Sequence, residues 1–168
     1  MRAAASVLLC AAGLCVGGVL RDTLRRRVLV LDQLCLFLRQ LRFRARLHQP
    51  LGTLLSECSR DSGYSLLTFL PDCASRRQSG TPLPTAWEQA AGAFLRTARL
   101  SRREGQMLVQ LVPALCTADG QQLDALLEMY EARAAEAVQR AAQTDASLGG
   151  LCVRICGAAG LLLGIMIL

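Results

Sequence analysis

The sequence predicts an all-α fold, a bundle of about six helices flanked by a transmembrane helix at each end. No segment alternates polar and apolar residues with a period of two, so no strand is expected. Apolar residues instead recur at three-to-four spacing through the middle of the chain. The apolar excess, in a sequence that is 52% hydrophobic, collects at the two ends. These features divide the 168 residues into an N-terminal anchor (1–22), a cytosolic helical domain (23–147) and a C-terminal anchor (148–168).

Residues 3–20 carry no charge, and at about 1.5 Å per residue such a helix is about 27 Å long, enough to span a bilayer core. A cleaved signal segment on an exported or membrane-surface helical protein is the alternative reading, with Arg2 as its short basic start. Against it, no Ala-x-Ala-like cleavage site precedes a polar start. Leu9 and Leu14 also stand before Cys10 and Cys15, where a lipoprotein signal needs a small residue. Arg21, Arg25, Arg26 and Arg27 follow the segment and read as its cytoplasmic flank, which places the middle domain in the cytosol and both termini on the far side.

Val28, Leu31, Cys35, Leu38 and Leu41 then mark an amphipathic helix over about 25–47. Residues 49–52 break it. Pro50 suits a first helical turn, and Leu51, Leu54, Leu55 and Cys58 carry the next apolar face. Asp61-Ser62-Gly63 is a turn. Tyr64, Leu66, Leu67, Leu70 and Ala74 form a third helix that Pro71 kinks or restarts. Thr81 as cap, followed by Pro82, starts a helix running through Phe94, with the single Trp87 as its core anchor. Pro50-Leu51-x-Thr53 is echoed at Pro82-Leu83-x-Thr85.

Ser101-x-x-Glu104 is a capping box opening a helix faced by Met107, Leu108, Leu111, Val112, Leu115 and Cys116. After Ala118-Asp119-Gly120, a last helix carries Leu123, Leu126, Leu127, Tyr130, Ala134, Val138 and Ala141. It meets no Pro or Gly before Gly149-Gly150 and is expected to run on into the membrane. Residues 148–168 span if Arg154, near the start of that run, snorkels to the head groups.

Chemistry is sparse. All 19 basic residues are Arg, so a phosphate-binding loop with its Lys and a Schiff-base mechanism are both excluded. The single histidine, His48, lies in a break. Glu128, Glu131 and Glu136 have no histidine at metal-motif spacing and are expected to pair with Arg133 or Arg140 along their own helix. Cys35, Cys58, Cys73 and Cys116 fall at apolar positions and read as reduced core residues; Cys10, Cys15, Cys152 and Cys156 serve as small hydrophobes in the anchors. No enzyme activity, cofactor or metal site is expected. The charge of +6 clusters beside the first anchor with few aromatics for base stacking, which argues against a nucleic-acid partner. Arg39, Arg42, Arg44 and Arg46 are the best candidates for a surface that meets an acidic partner; self-association is left open.

The order of Gln49-Pro50-Leu51, Thr81-Pro82-Leu83-Pro84-Thr85-Ala86-Trp87-Glu88, Leu100 to Glu104, and Leu148-Gly149 with Cys156-Gly157 and Leu161-Leu162-Leu163 resembles the stage III sporulation protein AB family over nearly the whole chain. It departs at Leu115-Cys116-Thr117-Ala118-Asp119, where the family more often reads Leu-Gly and a polar turn. The resemblance implies a bundle similar to the type II secretion F-protein domain. It also implies a place in the channel complex between mother cell and forespore, in the mother-cell membrane surrounding the forespore. The expected partners are that membrane, the sporulation ATPase and other channel-complex proteins.

Overall fold

The computed structural model describes residues 2–47 and 49–167, and the side chains of all of these but 2–10, 13, 14, 120, 121, 149, 150, 152, 153, 156, 157 and 160–167. The elements run α1 (Arg2–Ala45), α2 (Leu51–Cys58), a 3₁₀ turn (Ser62–Tyr64), α3 (Phe69–Gln78), α4 (Leu83–Leu95), α5 (Arg102–Thr117) and α6 (Gly120–Ile167). The fold is all-helical, with no strand among the described residues. The first apolar segment and the amphipathic helix after it are a single helix, α1, because no Pro interrupts residues 2–45. At the other end α6 continues through Gly149-Gly150 without a break.

Two compact units divide the chain, Leu29–Val138 and the pair Met1–Val28 with Gln139–Leu168. In the second, Val16, Val19 and Leu20 on α1 and Leu148, Leu151 and Ile155 on α6 are exposed. Arg21, Arg25, Arg26 and Arg154 are exposed as well, and Arg27 is half-buried. Thr23, Thr144 and Ser147 turn their hydroxyls back onto carbonyls one turn earlier, at Val19, Arg140 and Gln143. Among the described residues, no helix is long and apolar enough to cross a membrane. The expected anchors, 3–20 and 148–168, fall in large part on side chains outside the described residues.

In the unit Leu29–Val138 the core forms around Trp87, which is fully buried. Its ring meets Phe69 edge-on at 5.0 Å and stacks on Phe37 at 6.3 Å, and Phe69 meets Phe94 at 5.1 Å. The indole Nε1 donates to the Leu108 carbonyl at 2.7 Å, so the one polar atom of this large side chain is satisfied inside the core. From α1, Leu34, Phe37, Leu38 and Leu41 enter the same cluster, the stripe that helical spacing selects. Gln33 and Gln40, two turns apart on α1, fasten the segment after α2: Gln33 Oε1 accepts from the Leu66 amide at 2.9 Å, and Gln40 Oε1 accepts from the Tyr64 hydroxyl.

The helix starts follow local chemistry, with shifts from expectation at Pro50, which caps α2 instead of entering its first turn, at Thr81 and at Tyr64. Pro50 and Pro82 both occupy cap positions in extended conformation, so the repeated Pro-Leu-x-Thr is one structural device used twice. Thr81 therefore stands one residue before the cap of α4, and no side chain caps that helix. Tyr64 belongs to a 3₁₀ turn, capped by Asp61 accepting from the Gly63 amide at 2.9 Å; α3 restarts at Phe69 with Pro71 in its first turn. The Ser101–Glu104 capping box is complete. Ser101 Oγ accepts from the Glu104 amide at 3.4 Å, and the Glu104 carboxylate accepts from the Ser101 amide at 2.7 Å. Gly80, at φ 92°, supplies the left-handed turn between α3 and α4.

Candidate interaction surface

The apolar stripe of α1 faces the core, so its arginines lie along the flank of that stripe. Over residues 39–46 they meet α6, which runs antiparallel to α1 there. Arg39 Nε donates to Glu131 Oε1 at 2.8 Å. Arg42 donates to Asp124 Oδ1 at 3.0 Å, Glu128 Oε2 at 2.7 Å and Glu131 Oε2 at 3.4 Å. Arg46 reaches Asp124 through two nitrogens, each at 3.0 Å. Arg44 points to the other side and pairs with Glu57 of α2.

The structure thus gathers the four arginines singled out in the sequence and sets four carboxylates, Glu57, Asp124, Glu128 and Glu131, against them. Glu128 and Glu131 were expected to pair along their own helix; they reach across to α1 instead. The reason is register: Arg39, Arg42 and Arg46 step by three and four, and Asp124, Glu128 and Glu131 step by four and three. Two such helices lying antiparallel bring opposite charges into line along one seam. That complementary spacing is the signal by which the partners are found in the sequence.

Electrostatics at this seam follows from the pairing. Hydrogen bonds from Arg46 and Arg42 hold the Asp124 carboxyl well below the usual carboxylate range. The hydrogen bond to Asp124 likewise raises the Arg42 guanidinium above its ordinary value. Arg39 and Arg46 keep side-chain exposures of 61% and 58%, whereas Arg42 keeps 21%, so the first two still present cationic faces to solvent and Arg42 is a structural tie. His48 lies outside the described residues.

Three of the four middle-domain cysteines, Cys35, Cys58 and Cys73, are buried free thiols, as expected. Cys116 is exposed: Leu115, one residue before it, takes the inward position at the end of α5, which turns Cys116 out. Among the described residues no group of three or more His, Cys, Asp or Glu is placed to hold a metal ion. Two cavities open at helix junctions. One, of about 330 Å³, lies between α2 and α3 beside Gly52, Arg60 and Arg77; the other, of about 340 Å³, lies at the α4–α5 corner beside Leu95, Leu100 and Val109.

The family model described as stage III sporulation protein AB matches residues 2–168. No curated protein and no solved structure matches the chain.

Proposed function

Because the chain belongs to the stage III sporulation protein AB family, we propose that it is a non-enzymatic membrane platform component of the mother cell–forespore channel complex, docking a cognate sporulation ATPase. Family membership gives the chain a role in stage III of sporulation. The observation that carries the reading is the family match across the entire helical chain, from the first apolar segment to the last.

Two features support attachment to the membrane surrounding the forespore. Residues 3–20 are uncharged, and large apolar side chains in the unit built from both chain ends face outward: Val16, Val19 and Leu20, then Leu148, Leu151 and Ile155. Outward apolar side chains suit lipid and cost free energy in water. Arg21, Arg25 and Arg26 at the end of the uncharged segment, and Arg154 across from it in sequence, suit head groups. The unit Leu29–Val138 is the part that meets cytosolic partners in this reading, with a similarity in architecture to the type II secretion F domain.

The test is fractionation followed by labelling. Membranes from sporulating cells retain the chain after an alkaline carbonate wash, and a permeant maleimide reaches Cys116 while an impermeant one does not until the cells are opened. Release of the chain as a dispersed monomer, or labelling of Cys116 from outside, overturns the topology. The docking half is tested by co-purification of the ATPase with the detergent-solubilised chain.

A further inference from the structure

We propose that the corner between α4 and α5 is the docking site for an acidic segment of a partner protein, which inserts one large apolar side chain between flanking arginines. The proposal rests on the platform reading for the partner's existence and goes beyond it in placing the contact away from Arg39–Arg46.

Charge points here. Arg39, Arg42, Arg44, Arg46 and Arg76 are all neutralised by carboxylates of the chain itself, and Arg60, Arg77 and Arg133, which make no ion pair among the described residues, are spread over separate segments rather than clustered in sequence. Arg96, Arg99, Arg102 and Arg103 are all exposed, and among the described residues none of them makes an ion pair. Glu104 is the sole carboxylate between residues 96 and 106, and it is buried in the capping box. Four uncompensated guanidiniums within eight residues are a strong field for an anionic partner.

Local energetics argues that these arginines are not there for the fold. Arg102 and Arg103 occupy the first turn of α5, where the unsatisfied amides already make the potential positive and an acidic residue stabilises. Arg99 sits at φ 44°, the sole non-glycine residue in the left-handed region among the described residues. A corner that tolerates both features is one whose arginines are used elsewhere.

The cavity supplies the second half of the recognition. It holds about 340 Å³ and is lined by Leu95, Leu100, Gly105 and Val109, with Ser101 and Gln106 at its polar edge. Gly105 lets Leu95 pack closely against α5 and form the floor, since the Leu95 methyls stand 3.1 and 3.2 Å from where a Cβ at 105 would lie. An open apolar hollow with Arg102 on its lining, at a corner that carries three more exposed arginines, fits a leucine- or phenylalanine-sized anchor flanked by Asp and Glu. It fits a bilayer poorly, since interfacial binding needs apolar side chains that protrude, and here Leu95 and Leu100 are half-buried.

The experiment uses the full chain in nanodiscs of zwitterionic lipid and a short fluorescein-labelled peptide with one central leucine among Asp and Glu residues. A saturable rise in anisotropy is expected. The double variant Arg102→Glu/Arg103→Glu weakens it about tenfold or more, because like charges then face one another. It keeps α5 intact, since carboxylates suit that turn. Gln106→Trp, which fills the hollow from its exposed edge without changing charge, weakens binding as well, as does alanine in place of the peptide's leucine. Absence of saturable binding, or binding indifferent to these changes, overturns the proposal. So does equal loss of vesicle binding, with phosphatidylglycerol vesicles in place of the peptide, because the corner is then a lipid contact. A wild-type chain that binds the peptide but never co-purifies with the ATPase overturns the platform reading and leaves the corner standing. A chain that co-purifies but ignores the peptide does the reverse.

Discussion

Arg42 of α1 donates from Nε to Asp124 Oδ1 of α6 at 3.0 Å, tying two residues 82 positions apart in the chain. The same guanidinium also serves Glu128 and Glu131, so it holds three carboxylates together. Its removal loses three attractions and leaves Glu128 beside Asp124 and Glu131 with Arg46 and Arg39 alone to offset the three charges. Arg39, which meets Glu131 through one bond and is largely exposed, is a weaker tie. Arg42→Ala is therefore expected to lower the thermal midpoint by roughly twice the drop from Arg39→Ala or more, since exposed single pairs contribute little. Thermal unfolding at low and high salt checks this: the Arg42→Ala deficit narrows in high salt, which screens the leftover repulsion.

The acid limb of the stability profile follows from Asp124. Its folded-state value is depressed by the hydrogen bonds from Arg46 and Arg42, whereas an unfolded Asp titrates near about 3.9. A depressed value means that the stabilisation is present above the unfolded value and is lost as pH falls through the folded one. The thermal midpoint should therefore hold down to about pH 5 and fall steadily below about pH 4. Asp124→Asn starts from a lower midpoint at neutral pH and shows a shallower acid decline. Equal acid slopes in the two proteins would remove Asp124 as the source.

The helices were legible in the sequence because each carries its own signal. The Leu34–Leu38–Leu41 stripe, the Ser101–Glu104 box and the turn at Gly80 are local facts, decided by residues within a turn or two of each other. The seam between Arg42 and Asp124 was not read, because periodicity says which face of a helix is wet without saying which other wet face it meets. The four arginines stand out in the sequence; their partners on α6 and α2 do not. Thr81 before Pro82 has the sequence of a cap, but Pro82 itself is extended and takes the cap position. Cys116 was misplaced for a related reason: helical spacing allows either 115 or 116 on the core side at the end of α5, and packing chose Leu115. The arginines at the α4–α5 corner are not legible as a site in the sequence, because their meaning depends on which other arginines are already neutralised.

Trp87 offers a direct probe of the core. It is fully buried against Phe37 and Phe69, and its indole N–H is bonded to the Leu108 carbonyl. As the chain's single Trp, it should emit at short wavelength when folded and shift to the red on unfolding. Trp87→Phe loses the hydrogen bond and part of the ring, at about 1–3 kcal/mol. Trp87→Ala leaves a cavity and costs about 3–5 kcal/mol. Denaturant titrations followed by circular dichroism measure both; a Trp87→Ala cost below about 1 kcal/mol would mean that the core is not centred there.

The buried cysteines set the alkaline limb. Burial pushes the thiols of Cys35, Cys58 and Cys73 up from their ordinary value, so each stays protonated in the folded chain where an unfolded thiol would ionise near about 8.5. A raised value for an acidic group favours the unfolded state once pH exceeds the unfolded value, so stability is expected to decline above about pH 8.5. Low thiolate content and burial together also protect these three sites from alkylation. In the native chain maleimide should modify Cys116, which is exposed, and spare Cys35, Cys58 and Cys73 until denaturant is added. Peptide mapping by mass spectrometry reads each site separately. Replacing all three with Ala should flatten the alkaline decline while lowering stability at pH 7, since each substitution removes packed sulfur from the core. Modification of Cys58 or Cys73 at the rate of Cys116 in the folded chain would contradict the packing of α2 and α3.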